Sequence, residues 1–219
     1  MVFQSPGDTF ITIGNFSVHW YGVIIAIAFI CGLTVSLKVA KEKGEDPDHF
    51  LNMSTIMLLT GIIGARLYYV AFNWDRYADS FLDIFKIWQG GLAIHGALIG
   101  GFIAGAIYVI RHKLSFLKYA DIGCLGVILG QAIGRWGNFF NSEAFGTPTD
   151  LPWKLFIPLD KRPIEYIDHA YYHPTFLYES LWNFLVFAFL FFYLKIKYSH
   201  KNVVIFLYYF ALYLFEIFF

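Results

Sequence analysis

The sequence is poor in charged residues. Only 15% of its 219 residues are Asp, Glu, Lys or Arg, and these balance to a formal net charge of zero. Soluble globular domains are typically about 25% charged, so the composition argues against an ordinary soluble domain. A neutral balance also gives no sign of a basic surface, and no nucleic acid partner is expected.

Cysteine is scarce as well. The two cysteines, Cys31 and Cys124, both lie inside apolar runs, which excludes a disulfide framework or a cysteine metal cluster. We interpret both as small buried apolar side chains. The N-terminal stretch MVFQSPGDTFITIGNF has no basic start and no continuous apolar core, so it is not a cleavable signal peptide.

What the sequence has instead is apolar and aromatic residues, at 58% and 21% of the chain, gathered in blocks. A membrane-spanning helix needs about 20 mostly apolar residues, and backbone polar groups in lipid must be satisfied within the segment. The sequence therefore predicts an all-α, polytopic membrane helix bundle forming a single domain over residues 1–219. The six predicted spans are 18–38, 53–72, 91–110, 120–140, 174–194 and 203–219.

Basic residues in the loops predict the orientation. Cytoplasmic loops are enriched in Lys and Arg, and here basic residues follow the first, third and fifth spans, while the segment before the first span has none. The N-terminus and the long loop 141–173, between spans four and five, are thus predicted to lie outside. The basic residues are Lys41, Lys43, Arg111, Lys113, Lys118, Lys195, Lys197 and Lys201. The other two loops carry basic residues too, namely Arg76, Lys86, Lys154, Lys161 and Arg162. Acids dilute them there: Asp75, Asp79, Asp83, Asp150, Asp160, Glu165 and Asp168.

Several polar residues lie within the predicted spans, where a charge costs roughly 2.5–3.5 kcal/mol on insertion scales. The informative stretch is GQAIGRWGNFFNSEAFG, residues 130–146. Arg135 there lies near two glycines, and a guanidinium beside bare backbone suits a phosphate or a carboxylate. Asn138 and Asn141 add amide donors at helical spacing. The alternative is that Arg135 extends to the interface or pairs with Glu143 or Glu179.

His95, in GGLAIHGALIGG, is a candidate for proton transfer; alternatively it hydrogen-bonds a neighbouring helix. The glycines around it form a stripe of small residues that predicts close helix packing. The predicted topology brings polar residues of five spans to one depth in the outer half of the bilayer, which suggests a cavity for an anionic head group. These residues are Tyr21, Arg66, His95, Arg135, Tyr178 and Glu179.

Four motifs carry a resemblance over nearly the whole chain. They are HWYG at 19–22, GGLAIHGALIGG at 90–101, GQAIGRWGNFFNSEAFG at 130–146 and YHPTFLYES at 172–180. Together they resemble the prolipoprotein diacylglyceryl transferases of bacteria, and the phrase FGTPTDLPWKLFIP resembles the cyanobacterial branch. The resemblance implies a multi-pass protein of the bacterial plasma (inner) membrane, surrounded by membrane lipids.

The resemblance also implies a reaction. Such enzymes transfer the diacylglyceryl group of phosphatidylglycerol to the lipobox cysteine in the signal peptide of a preprolipoprotein, which forms a thioether and releases glycerol-1-phosphate. No metal and no organic cofactor is expected. The thiol must become a thiolate before it attacks, and fixed cations can stabilise the charge on the leaving phosphate.

By motif position the resemblance assigns roles to individual residues. His95 matches the family's essential histidine, as general base or proton relay, or alternatively as a group that only holds the head group. Arg135 matches the essential arginine that meets the phosphate. Four residues match positions that shape the head-group site: Tyr21, Asn138, Glu143 and Gly146. The predicted topology adds Arg66, Tyr178 and Glu179 as residues expected to bind substrate.

One departure from the family lies in the last span. Family members carry a second arginine there, in a pattern like YSxGRFxxExLR, and then a seventh span; this sequence reads FLYYFALYLFEIFF, with Glu216 near the position of that arginine. A carboxylate has the wrong sign to meet a phosphate. The sequence therefore resembles a member truncated or frame-shifted at its C-terminus, or a degenerate paralogue. Two other functions stay open: a catalytically impaired lipid-binding paralogue, and a small-anion transporter that uses Arg66 and Arg135.

Overall fold

The computed structural model describes residues 2–14, 16–78, 80–197 and 203–218, and most of them are helical. Asp79, Lys201 and Phe219, used above for orientation and for the last span, lie outside the described residues. Within the described part, five helices are long and apolar enough to cross a membrane, and a sixth apolar helix is shorter. The predicted polytopic helical class is confirmed. The helices are α1 Trp20–Glu42, α2 Pro47–Phe72, α3 Ile94–Arg111, α4 Phe116–Asn141, α5 Thr175–Lys197 and α6 Val204–Phe218.

Helix boundaries differ most from the prediction at the start of α2. The helix begins six residues earlier than expected, because Asp46 caps it by accepting from the backbone N–H of Asp48 and Pro47 occupies the first position. Hydropathy cannot detect this polar first turn. Another difference lies in α5, whose segment Phe189–Leu194 is π-helical.

The chain forms two compact units, Met1–Ser36 with Ala120–Phe219, and Leu37–Tyr119. The single domain predicted for residues 1–219 stays a prediction. In the first unit α1 and α4 are antiparallel and pack backbone to backbone. A Cβ on Gly32 would collide with the carbonyl of Gly126, and one on Gly137 would lie 2.7 Å from the ring of Tyr21. Glycine therefore permits close approach near the middle of this helix pair and at the end where α4 meets Tyr21.

Helices α5 and α6 complete the helical part of the first unit. Ser180 Oγ donates to the carbonyl of Ala132 at 2.7 Å, while the ring centroids of Trp136 and Phe176 are 5.5 Å apart, so α5 is antiparallel to α4. The backbone N–H of Phe206 donates to the buried Asp121 near the start of α4. Together with the approach of Glu216 to Arg135, this contact shows that α6 runs parallel to α4. The end of α4, the start of α1, the start of α5 and the end of α6 therefore share one end of this unit.

Two small sheets, absent from the sequence prediction, also belong to the first unit. Strand β1 (Phe3–Gln4) pairs in parallel with β4 (Leu155–Phe156), which pairs antiparallel with β5 (Tyr171–Tyr172). Strands β2 (Thr9–Ile13) and β3 (Phe16–His19) form an antiparallel hairpin. The first sheet joins the N-terminal segment to the loop between α4 and α5, which agrees with the prediction that both lie on one side.

The first sheet packs on a small apolar core beside the start of α5. Leu155, Ile157, Tyr172 and Phe176 are buried together there. This core fixes the first turn of α5, which carries Tyr178 and Glu179.

The second unit is dominated by the antiparallel pair α2 and α3. Gly64 lies against the backbone of Gly96 and Gly100, and Gly100 lies against the carbonyl of Thr60. The predicted role of the small residues in close packing is confirmed. Three short 3-10 helices, Trp74–Arg76, Phe81–Phe85 and Ile87–Gln89, connect the two helices.

Candidate functional site

Arg135 lies near the end of α4 and faces acids from α5 and α6. Its Nε is 2.5 Å from Glu179 Oε2, and its Nη2 is 3.9 Å from Glu216 Oε1. The Arg135 side chain keeps 33% of its surface exposed, whereas that of Glu216 keeps only 8%. The pairing with Glu179, which the sequence analysis held as an alternative, is present in the structure. One cation thus faces two carboxylic acids.

Glu216 is held in place by an amide that sequence reasoning missed. Asn183 Nδ2 donates to Glu216 Oε1 at 3.0 Å, and the Asn183 side chain is almost fully buried, at 1% exposure. The available signal was a lone amide in the apolar run LWNFLVF of α5. Because a buried amide needs partners, such a residue predicts a polar contact with a neighbouring helix.

The turn that follows α4 gathers three of the polar residues of the GRWGNFFNSEAFG motif. Asn138 Nδ2 and Asn141 Nδ2 both donate to Glu143 Oε1, at 3.0 and 3.2 Å. Ser142 and Ala144 adopt left-handed backbone conformations, with φ of 52° and 50°. The two amides therefore hold Glu143 in a tight turn at the polar end of α4.

Gly146 ends this motif in a crowded position. A Cβ there would lie 3.0 Å from Cβ of His173 and from Cγ2 of Thr175, while Thr175 Oγ1 donates to the carbonyl of Ala144. Glycine at this position thus lets the turn after α4 pack directly on the start of α5.

Two tyrosines lie close to these elements. The ring of Tyr21 packs on Gly137, two residues after Arg135. The hydroxyl of Tyr178 accepts from Trp153 Nε1 at 2.9 Å and lies 3.3 Å from His173 Nδ1. Tyr178 therefore ties the loop between α4 and α5 to the first turn of α5, next to Glu179.

His95 is the second residue of α3, in the second unit, and its side chain is exposed. Its ring stacks on Tyr68 of α2, with centroids 5.8 Å apart. No hydrogen bond links the imidazole to another group among the described residues. The alternative in which His95 bonds a neighbouring helix finds no support in that part of the chain, and the ring nitrogens face no internal partner.

Arg66, near the end of α2, is buried at 6% exposure. Its guanidinium donates to four backbone carbonyls of the following loop: Asp83, Ile84, Gly90 and Gly91. The carboxyl of Asp83 pairs with Lys86, and that hydrogen bond lowers the pKa of Asp83 below its ordinary value. These contacts explain the burial of Arg66 without a bound anion. Its predicted contact with substrate stays a prediction.

The sequence-predicted residues thus fall into two groups. One end of the first unit carries Tyr21, Arg135, Asn138, Glu143, Gly146, Tyr178 and Glu179. Arg66 and His95 belong to the second unit, where α2 and α3 bring them to the same end, since the N–H of Ala93 donates to the carbonyl of Ala65. The meeting of both groups in one cavity stays a prediction.

Chemically, the first group offers a partly exposed guanidinium near a helix end, beside the carboxyl groups of Glu179 and Glu216. A guanidinium can bind two oxygens of a phosphate or carboxylate at once. The second group offers an accessible imidazole, which is suited to proton transfer near neutral pH.

Comparison with known proteins gives a consistent picture. A family model described as prolipoprotein diacylglyceryl transferase matches residues 8–219. The chain is 55% identical over 188 residues to the phosphatidylglycerol–prolipoprotein diacylglyceryl transferase of Synechocystis sp. (strain ATCC 27184 / PCC 6803 / Kazusa), covering 86% of this chain and 66% of the relative. It is 53% identical over 188 residues to the protein of that name from Thermosynechococcus vestitus, covering 86% and 70%. The chain therefore spans about two thirds of the length of these curated relatives.

Proposed function

The chain belongs to the prolipoprotein diacylglyceryl transferase family, and we propose that it transfers the diacylglyceryl group of phosphatidylglycerol to the lipobox cysteine of preprolipoproteins. The cysteine sulfur attacks the carbon of the diacylglyceryl group that bears the phosphate. A C–S bond forms, the C–O bond to the phosphate breaks, and glycerol-1-phosphate leaves. The thiol proton goes to a base on the enzyme.

The observation that carries the proposal is the position of Arg135. Its guanidinium is partly exposed at the polar end of α4, and Glu179 on one side orients it. In this site Arg135 binds the phosphate of the lipid and stabilises the charge that develops as glycerol-1-phosphate departs, a contribution of a few kcal/mol in comparable sites. Tyr21 and the turn at Asn138 and Glu143 line the head-group site beside it.

His95 takes the thiol proton in this mechanism. A free cysteine has a pKa near 8.5, so a base must raise the thiolate fraction at neutral pH. The exposure of His95 and its contact with Tyr68 support this role. The Tyr68 ring orients the imidazole, and no hydrogen bond within the described residues occupies the imidazole nitrogens.

The protein is placed by this proposal in the bacterial plasma membrane, with the N-terminus outside. The distribution of Lys and Arg supports that orientation. The antiparallel order of α1 and α4 and the pairing of β1 with β4 support a common side for the N-terminal segment and the loop between α4 and α5. The lipobox peptide and the lipid head group would then meet in the outer leaflet.

The test is release of glycerol phosphate from phosphatidylglycerol by the purified protein. We expect release only with a lipobox peptide, none when serine replaces the peptide's cysteine, and loss of most turnover in Arg135→Lys, because an ammonium cannot make the planar two-point contact. Near-normal turnover in Arg135→Lys would contradict the role of Arg135. No release with wild type and every peptide would contradict the proposed activity.

A second function, lipid binding without turnover, is favoured by one observation. Glu216 brings a second carboxylic acid to Arg135, which leaves less positive charge to stabilise the departing phosphate and so favours a loss of turnover. Binding of phosphatidylglycerol without release of glycerol phosphate would support this second function, and ion flux through proteoliposomes would instead support an anion transporter.

A further inference from the structure

We propose that Glu216 is a specificity-determining residue, whose carboxylate lowers the affinity of Arg135 for an anionic phospholipid head group. The inference rests on the proposed function, because it concerns the head-group site of that same reaction.

The contacts of Arg135 leave one edge of its guanidinium open. Glu179 Oε2 lies 2.5 Å from Nε, and Glu216 Oε1 lies 3.9 Å from Nη2. Within the described residues no acceptor engages Nη1. A guanidinium presents its donors as a rigid planar fork, so the edge formed by Nη1 and Nη2 is where an incoming phosphate would bind side by side with Glu216.

Glu216 is poorly neutralised at this position. Oε1 accepts from Asn183, a neutral amide, and Oε2 is buried without a hydrogen bond among the described residues. Arg135 is shared between two acids, so with both ionised the three groups sum to one negative charge. In surroundings less polar than water, a like charge a few ångströms from a bound anion repels it strongly.

Glu179 and Glu216 therefore act differently on the same cation. Glu179 Oε2 lies 2.5 Å from Nε, the nitrogen that is not part of the open edge. Glu216 Oε1 lies 3.9 Å from Nη2, which is one of the two nitrogens of the open edge, and competes with an anion for that nitrogen. Removing the charge of Glu216 should improve anion binding, provided that Arg135 is present.

The experiment is titration calorimetry of the full chain in detergent micelles with dioctanoyl phosphatidylglycerol and, for comparison, zwitterionic dioctanoyl phosphatidylcholine. Glu216→Gln keeps the shape of the side chain and an oxygen for Asn183. We expect it to bind phosphatidylglycerol at least about tenfold tighter than wild type, about 1.4 kcal/mol, with little change for phosphatidylcholine. Glu165→Gln, which removes an exposed acid from the loop between α4 and α5, should change neither affinity.

A second comparison keeps the inference testable if Glu216→Gln alters the fold. In an Arg135→Gln background, the change Glu216→Gln should no longer increase the preference for phosphatidylglycerol, because the cation on which both anions compete is gone. Equal affinity of wild type and Glu216→Gln for phosphatidylglycerol would overturn the inference. So would an equal gain for phosphatidylcholine, or the same gain in Glu165→Gln.

Transfer activity is measured separately on the same variants with a lipobox peptide. Tighter binding in Glu216→Gln without any release of glycerol phosphate would sustain this inference and contradict the proposed function. Turnover by wild type, with equal binding of phosphatidylglycerol by wild type and Glu216→Gln, would contradict this inference and sustain the proposed function.

Discussion

The contact between α2 and α3 makes a sharp prediction about stability. At Gly64 the two backbones are so close that an added Cβ would overlap the carbonyl oxygen of Gly96 and lie 3.2 Å from the Cα of Gly100. Both neighbours are backbone atoms, so no side chain can rotate away to make room. Gly64→Ala therefore requires the two helices to move apart.

The expected cost follows from two opposing effects. Alanine is favoured over glycine in a helix interior by roughly 1 kcal/mol, and overpacking a close contact typically costs about 1–3 kcal/mol. Because the clash is with rigid backbone, we place it at the upper end of that range. The net loss in free energy of unfolding is then about 1–2 kcal/mol.

Gly61→Ala is the matched control on the same helix. A Cβ there would lie 3.4 Å from the carbonyl of Ala97, an ordinary contact, so this variant should be as stable as wild type or up to about 1 kcal/mol more stable. Gly22→Ala in α1, with nothing within 4 Å of the added Cβ, is a second control. The assay is unfolding of the detergent-solubilised protein by SDS, followed by circular dichroism. Equal midpoints for Gly64→Ala and Gly61→Ala would refute the close backbone contact.

Two further predictions concern the second unit. Arg66→Met removes four hydrogen bonds to carbonyls of the loop between α2 and α3. It should lower the free energy of unfolding by about 2–4 kcal/mol, because a hydrogen bond to a charged group contributes about 1.5–3 kcal/mol and water replaces part of the lost bonds. Trypsin should then cleave at Lys86 faster than in Arg76→Met, where the removed side chain is exposed and donates to the hydroxyl of Tyr69. Equal cleavage in the two variants would contradict the role of Arg66. His95→Gln should lower the transfer rate roughly 10²- to 10⁴-fold while phosphatidylglycerol binding stays within about twofold. A parallel loss of binding would favour the alternative in which His95 holds the head group.

The helices were predictable because the bilayer imposes a length and an apolar composition that the sequence displays directly. The polar end of α4 was predictable for a related reason: a charge such as Arg135 among glycines and amides in a span is costly unless it has partners. The pairing with Glu179 could be stated only as one of several alternatives, since helix rotation and neighbour choice depend on tertiary packing.

Other features were out of reach of sequence patterns. Strand β1 consists of two residues and pairs with β4 about 150 positions away, so no local periodicity marks it. The contacts of Arg66 are with backbone carbonyls, which every residue carries, so its partners leave no mark in the sequence. The polar first turn of α2 was missed because hydropathy measures lipid compatibility, whereas a helix can begin in water.

The sheet that contains β1 couples the beginning of the described chain to the polar end of α4 in the first unit. The N–H of Phe3 donates to the carbonyl of Lys154, and its ring meets that of Phe176 edge to face, with centroids 6.4 Å apart. Phe176 is three residues, close to one helical turn, before Glu179, which orients Arg135. A fusion or label that strains residues 3–4 would therefore be felt at the guanidinium, and reporter groups are better attached at the opposite end of the helices.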